Sequence, residues 1–147
     1  MYCEISDILN DLSKDELISL LNDENRQKSA IDLTDEQDLV VVRCNEQISI
    51  SGNEIDGYLR SRYSMPINPV PARIKQICKD IAIYNCYKRR MRLDMPESIV
   101  RIYGERIKEL INIQKGLINL EVTPPDDNAE MIINKTESNR IFSKYNF

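Results

Sequence analysis

Apolar residues recur along this chain at the three-, four- and seven-residue steps of amphipathic helices, with polar punctuation between them. Val40, Val41, Cys44, Ile48, Ile55, Tyr58 and Leu59 mark one face of a long helical candidate over residues 34–63. Thr34 and Gln37 have capping-box spacing at its start, in which each side chain satisfies the other's free backbone N–H. Residues 47–51 alternate enough to admit a strand, and Gly52 and Gly57 each weaken a helix by about 1 kcal/mol, so a break there is an open alternative. A second face, Ile74, Ile77, Cys78, Ile81 and Tyr84, follows Pro71 and predicts a helix to about Arg90. Pro71 suits the first turn, because its missing N–H would have no partner there. A third helix is expected from Pro96, with Ile99, Tyr103, Ile107, Leu110 and Gln114 as its stripe, widened by Ile102, Arg106 and Ile111. Gly116 is its natural stop after Lys115.

Upstream, Ser6 is placed to cap a short turn through Leu12. Ser13 and Glu16 repeat the capping-box spacing ahead of Leu17, Ile18, Leu20 and Leu21. Residues 22–33 are polar and irregular, and residues 117–122 suit a short strand or an extended arm. The fold expected is all-α: a small bundle of about four to five helices with a Pro-rich interhelical loop (Pro66, Pro69, Pro71) and an extended C-terminal arm and tail. Residues 1–116 would form the helical domain, and residues 117–147 the arm, linker and terminal peptide.

Length and composition agree with that layout. A chain of 147 residues has room for one modest domain. Its 41% hydrophobic and 30% charged content is that of a globular protein, and four glycines are few for an all-β chain. With no Trp and two Phe, the core should be aliphatic, with tyrosines at its edge. From Thr123 the composition changes to a linker, Pro124-Pro-Asp-Asp-Asn128, and then a polar stretch. The last residues turn aromatic again. Arg140, Ile141, Phe142 and Phe147 read either as a tethered partner-docking peptide or as a fraying end.

The net charge of −4 hides a split. Residues 1–38 carry eleven acids and three bases, whereas residues 73–115 carry eleven bases and five acids. Such asymmetry suggests complementary surfaces, within one chain or between copies, or simply two solvated faces. Lys88, Arg89, Arg90 and Arg92 end the second long helix, where the helix dipole favours positive charge. The same cluster is the candidate DNA-facing patch, since grouped bases neutralise phosphates without reading sequence.

The chemistry of catalysis has little to work with. Histidine is absent, which removes His general bases, Ser-His-Asp and Cys-His nucleophiles and HExxH metal sites. There is no GxxxxGK[ST] or GxGxxG loop. Asp23 opens a loop with calcium-like spacing, but Lys28 and Thr34 stand where an EF-hand needs its Gly and its bidentate Glu. No cofactor, metal or enzymatic activity is therefore expected. Cys3, Cys44, Cys78 and Cys86 form no CxxC pair, and Cys44 and Cys78 lie on apolar stripes, so reduced structural thiols are expected. The amino terminus lacks a signal-peptide pattern, and the longest aliphatic run falls far short of the about 20 residues of a membrane span. A soluble protein made inside a cell, without membrane contact, is the expectation.

The order of residues 55–71, IDxYLxxRYxxPI…VP, carries more information than any periodicity. Ile55, Asp56, Tyr58, Leu59, Arg62, Tyr63, Pro66 and Pro71 in that order resemble the central motif of the Mu-like phage head–tail connector family, small proteins known for head completion. The opening Met1-Tyr-Cys with Asp7-Ile-Leu, the acidic helix before Asp23, the helix from Val70-Pro71 to Tyr87 and the closing Arg140-Ile-Phe-Ser with Phe147 are similar in the same order. The chain departs from the family in a glycine-free acidic loop and in a β-branched rather than Ala-rich stretch before Ile55.

The resemblance implies a helical phage or prophage structural protein forming a homo-oligomeric ring between the portal and the tail or stopper proteins. It would sit at the head–tail junction of the virion, after assembly in the host cytoplasm, in non-specific contact with passing DNA. The acidic amino-terminal region and the basic region would then supply two unlike ring faces. The other class of function is a small helical nucleic-acid-binding or regulatory protein resting on Lys88, Arg89, Arg90 and Arg92.

Overall fold

A computed structural model describes residues 1–90 and 94–122. Among the described residues five α-helices follow in order: α1 (Ile5–Ile8), α2 (Lys14–Leu21), α3 (Leu39–Leu59), α4 (Ala72–Arg90) and α5 (Glu97–Gln114). A single 3-10 turn (Lys28–Ala30) interrupts the loop between α2 and α3. No strand occurs among the described residues, so the fold is all-α.

The long helices match the predicted faces. Val40, Val41, Cys44, Ile48, Ile55 and Leu59 are buried on one side of α3, which runs unbroken through Gly52 and Gly57. The strand alternative for residues 47–51 therefore falls. Burial explains this, because Gln47, Ile48, Ser51 and Gly52 all face inward and the packing outweighs two weak helix formers. Ile74, Ile77, Cys78 and Ile81 are fully buried on α4. Tyr84 is half-buried and stacks on Tyr103 of α5, with ring centroids 3.9 Å apart. On α5 the stripe turns slightly. Gln114 is exposed and Ile113 takes the buried position beside Leu110.

Helix starts depart more from expectation. The Thr34–Gln37 box does not form, and α3 begins five residues later. Asp32 takes both the backbone N–H and the hydroxyl of Thr34, at 2.9 and 2.7 Å, which turns that segment into a local loop. Asp38 becomes the cap, accepting the Val40 N–H at 2.9 Å while Arg26 holds its carboxylate. At α2 only half of the expected box forms. Ser13 accepts the Glu16 N–H at 3.2 Å, but the Glu16 carboxylate receives the Tyr87 hydroxyl instead. Ser6 lies inside α1; Asp7 instead accepts the Glu4 N–H at 2.9 Å. Pro71 and Pro96 stand directly before α4 and α5.

α4 is the central element, packing against α1, α2, α3 and α5. Its partners on α5 pair in reverse order, Arg73 with Glu109, Asp80 with Arg106 and Tyr84 with Tyr103, so the two helices run antiparallel. Between α3 and α4, the fully buried Ser51 donates to the Gln47 carbonyl at 2.7 Å and accepts from Asn85 at 3.2 Å. The core is aliphatic with Tyr2, Tyr63 and Tyr87 at its margin.

All four cysteines are buried and unbridged. Cys3 and Cys78 lie 3.4 Å apart sulfur to sulfur, and the hydrogen bond to Cys78, with burial, pushes the Cys3 thiol far above its usual range. Thiolate is the reactive form, so burial and a raised pKa act together against alkylation at Cys3 and Cys86. Burial alone shields Cys44 and Cys78, whose thiols the hydrogen bonds from Cys86 and Cys3 pull down. The folded protein should expose none of its four thiols to iodoacetamide at pH 8, and all four in denaturant. Rapid native labelling of any of them, read by mass spectrometry, would contradict this packing.

Candidate functional site

The motif from Ile55 to Pro71 works as a joint, and its Asp56, Arg62 and Tyr63 side chains are committed to other elements. Ile55 and Leu59 are fully buried, Tyr58 is half-buried, and Ile67 is buried under the loop. The Tyr2 hydroxyl donates to Asp56 and accepts the Ile67 N–H at 3.1 Å, which ties the amino terminus to both sides of the turn. Burial, with the Asp56 carboxylate, pushes the Tyr2 phenol up to about 12, so it stays neutral and keeps donating. Within the turn the Met65–Pro66 and Asn68–Pro69 peptide bonds are cis.

Arg62 and Tyr63 hold the far end of α5. The Arg62 guanidinium donates to the Ile113 carbonyl at 2.9 Å and to Asn119 at 3.0 Å. The Tyr63 hydroxyl accepts the Leu120 N–H at 3.1 Å. α5 ends in a full Schellman motif: Gly116 N–H to Ile113 O at 3.0 Å, and Leu117 N–H to Asn112 O at 2.9 Å. Gly116 has φ +79°, and a Cβ there would lie 2.6 Å from the Arg62 guanidinium. Glycine is thus required twice over, by conformation and by the close approach of Arg62. Residues 117–122 form no strand; Leu120 is buried, and Ile118 and Val122 pack against the core.

Part of the charge split is met inside the chain. Lys75 pairs with Asp7 at 2.9 Å, Lys79 with Asp11 at 2.6 Å, and both Arg89 and Arg90 with Asp23. The acids 7, 11 and 23 thus run in the same order along α4 as the bases 75, 79 and 89–90. Arg43 of α3 closes the cluster, donating to the Leu21 carbonyl at 2.8 Å and pairing with Asp23 at 3.4 Å. The two regions thus meet within one chain, through Asp7, Asp11 and Asp23 on one side and Lys75, Lys79, Arg89 and Arg90 on the other.

Of the candidate DNA-facing residues, Arg89 and Arg90 are bound to Asp23, and Lys88 lies 5.9 Å from the Tyr84 ring centroid. Arg92, Arg140, Ile141, Phe142 and Phe147 lie outside the described residues. No group of three or more metal-ligating side chains occurs among the described residues, and no described helix is long and apolar enough to cross a membrane. Sequence reasoning missed Tyr2 and Asp23 as hubs. A tyrosine next to an amino terminus and an aspartate in an acidic loop carry no periodic signal.

A small all-α protein is the class that this fold and joint define. The profile of the family described as "Bacteriophage Mu, Gp36" matches residues 2–135, so the chain belongs to that family. The chain is also similar to the "Mu-like prophage FluMu protein gp36" of Haemophilus influenzae (strain Rd), 29% identical over 98 residues that make up 67% of each chain.

Two outcomes follow from this geometry. Replacing Gly116 by Ala should cost about 1–3 kcal/mol in urea unfolding, through the positive φ and the displaced guanidinium. Replacing Arg62 by Ala should cost about 1.5–3 kcal/mol, and Lys should not restore it, since an ammonium cannot fork between two acceptors. The two losses should be less than additive. Wild-type stability in Gly116→Ala would refute the clamp.

The second outcome concerns acid. The Arg26 guanidinium holds Asp38 below its ordinary value of 3.8, against the opposing effect of burial, and Arg89 does the same for Asp23. A depressed carboxylate contributes stability above its unfolded pKa and loses it as pH falls through the folded one. Stability should therefore drop as pH falls below about 4, and Asp38→Asn, which keeps the capping oxygen, should flatten that drop. An unchanged acid slope in the variant would remove Asp38 from the account.

Proposed function

We propose that this chain is a structural connector of the phage particle, a subunit of a homo-oligomeric ring between the portal and the tail or stopper proteins. In this reading it sits at the head–tail junction of the virion, after synthesis in the host cytoplasm, and performs no catalysis. The observation that carries the proposal is the use made of the 55–71 motif. Tyr2, Asp56, Arg62 and Tyr63 fix the joint between α3 and α4 and the end of α5, and the hollow that Tyr2 and Asp56 border is only about 90 Å³. A residue set devoted to shape suits a protein whose task is to tile a ring, because closure depends on a fixed subunit geometry.

Surface apolarity supports the same reading. Leu39, Val42 and Ile50 are exposed on one side of α3, at 45, 37 and 50%. Leu39 and Val42 adjoin at i,i+3, and Ile50 lies on the same side two turns on, beyond the exposed Glu46. An unlike surface of the next subunit would bury these residues. Residues 123–147, beyond the packed segment 117–122, would serve as the arm and docking peptide, ending in Arg140, Ile141, Phe142 and Phe147. Residual exposure of Lys88 would permit loose contact with passing DNA. The nucleic-acid-binding alternative has less support, because Arg89 and Arg90 are held by Asp23.

Sedimentation provides the test. The chain should form rings alone, or remain monomeric alone and assemble on purified portal rings. Val42→Glu, on the exposed side of α3, should weaken assembly at least about tenfold without loss of helicity. A chain that stays monomeric and ignores the portal at every concentration tested would overturn the proposal.

A further inference from the structure

A groove of about 380 Å³ opens between the α1–α2 turn, α4 and α5. Ile83, Ile99 and Ile102 form its apolar walls, and Asp11, Glu16 and Asp80 stand around it with no basic side chain in the lining. Two of these acids are already compensated, Asp11 by Lys79 and Asp80 by Arg106. Glu16 has no cationic partner among the described residues; its carboxylate is met by the neutral Tyr87 hydroxyl. The groove therefore offers apolar surface beside an uncompensated negative charge. Ile99 and Ile102 belong to the first half of α5, where Val100 is 47% exposed and no side chain is fully buried before Leu110. That half of an otherwise amphipathic helix is only partly covered among the described residues, with Ile99 and Tyr103 against the core.

The sequence contains a ligand of the matching chemistry. Both phenylalanines of the chain, Phe142 and Phe147, fall in the last eight residues. Those residues also carry Arg140 and Lys144, and no acidic side chain. Aromatic side chains bring the largest apolar area for the least ordering cost, which makes a Phe-and-Arg peptide a strong filler for an acid-edged apolar groove. Reach is no obstacle. Seventeen residues, 123–139, separate the described body from this segment and can span up to about 60 Å. Tethering also raises the effective concentration of the segment to about the millimolar range.

We propose that residues 140–147 fold back onto their own chain and dock in this groove, with a phenylalanine between Ile83, Ile99 and Ile102 and a basic side chain on Glu16. The inference is independent of the connector reading, since it concerns the isolated subunit and requires neither portal nor ring.

A fluorescein-labelled peptide of residues 140–147 tests it, titrated into the intact chain and into a full-length Phe142→Ala/Phe147→Ala variant whose own tail cannot compete. The variant should bind the peptide at least about tenfold more tightly than the intact chain, because only there is the groove vacant. Glu16→Lys in that variant should abolish binding, and Ile102→Asp should do the same with helicity unchanged by circular dichroism. Because Glu16 is exposed, its substitution keeps the test valid if the Ile102 variant fails to fold. Amide exchange in residues 97–103 should be slower in the intact chain than in the double variant, independently of protein concentration. Equal peptide binding by both chains, binding by neither, or protection that grows with concentration (a tail supplied by a second copy) would each overturn the proposal.

Discussion

Everything in this fold is arranged around a charged helix at its centre. α4 buries nine residues against four other helices while carrying Arg73, Lys75, Lys79, Asp80, Lys88, Arg89 and Arg90. A helix so placed is tolerable only if its charges reach solvent or find partners, because an unpaired charge near the core is costly. The partners are supplied in order: Asp7, Asp11 and Asp23 from the amino-terminal region, and Glu109 and Arg106 from α5. Each exposed pair adds little, on the order of 0–1 kcal/mol. Their stronger effect is on alignment, since sliding the amino-terminal segment along α4 would place several charges opposite apolar or like-charged neighbours.

The joint at residues 55–71 completes that arrangement by a different kind of contact. Tyr2, Arg62 and Tyr63 each reach more than fifty residues along the sequence to a backbone or polar group. Such bonds restrain the ends of helices rather than their middles, and helix ends are where free carbonyls and N–H groups need partners. α5 is therefore fixed at its carboxyl end by the Arg62 and Gly116 contact, and less covered at its amino end. The groove beside Ile99 and Ile102 lies at that less covered end.

The long helices were legible in the sequence because burial on one face of a helix imposes a period that single residues cannot disguise. Val40, Ile48, Ile77 and Ile81 were read correctly for that reason. Prolines and Gly116 are also legible, since the proline ring fixes φ and a glycine without Cβ admits the positive φ of a helix stop. Helix starts were less legible. Thr34 and Gln37 have the spacing of a cap, yet Asp32 competes for Thr34, and Asp38 wins because Arg26 returns to brace it. Two short polar stretches with near-identical capping potential cannot be ranked without knowing what lies across from them.

The candidate site divides along the same line. The sequence by itself determined the all-α class, the order of the helices and the presence of a joint with aliphatic Ile55 and Leu59 turned inward, because these depend on local periodicity and backbone restriction. Only the tertiary structure decided that Asp56, Arg62 and Tyr63 bind the amino terminus and the end of α5, and that acidic and basic regions meet within one chain. Hydrogen bonds and ion pairs between residues more than fifty positions apart leave no periodic trace, so the polar letters of a motif show their partners only once the chain has folded.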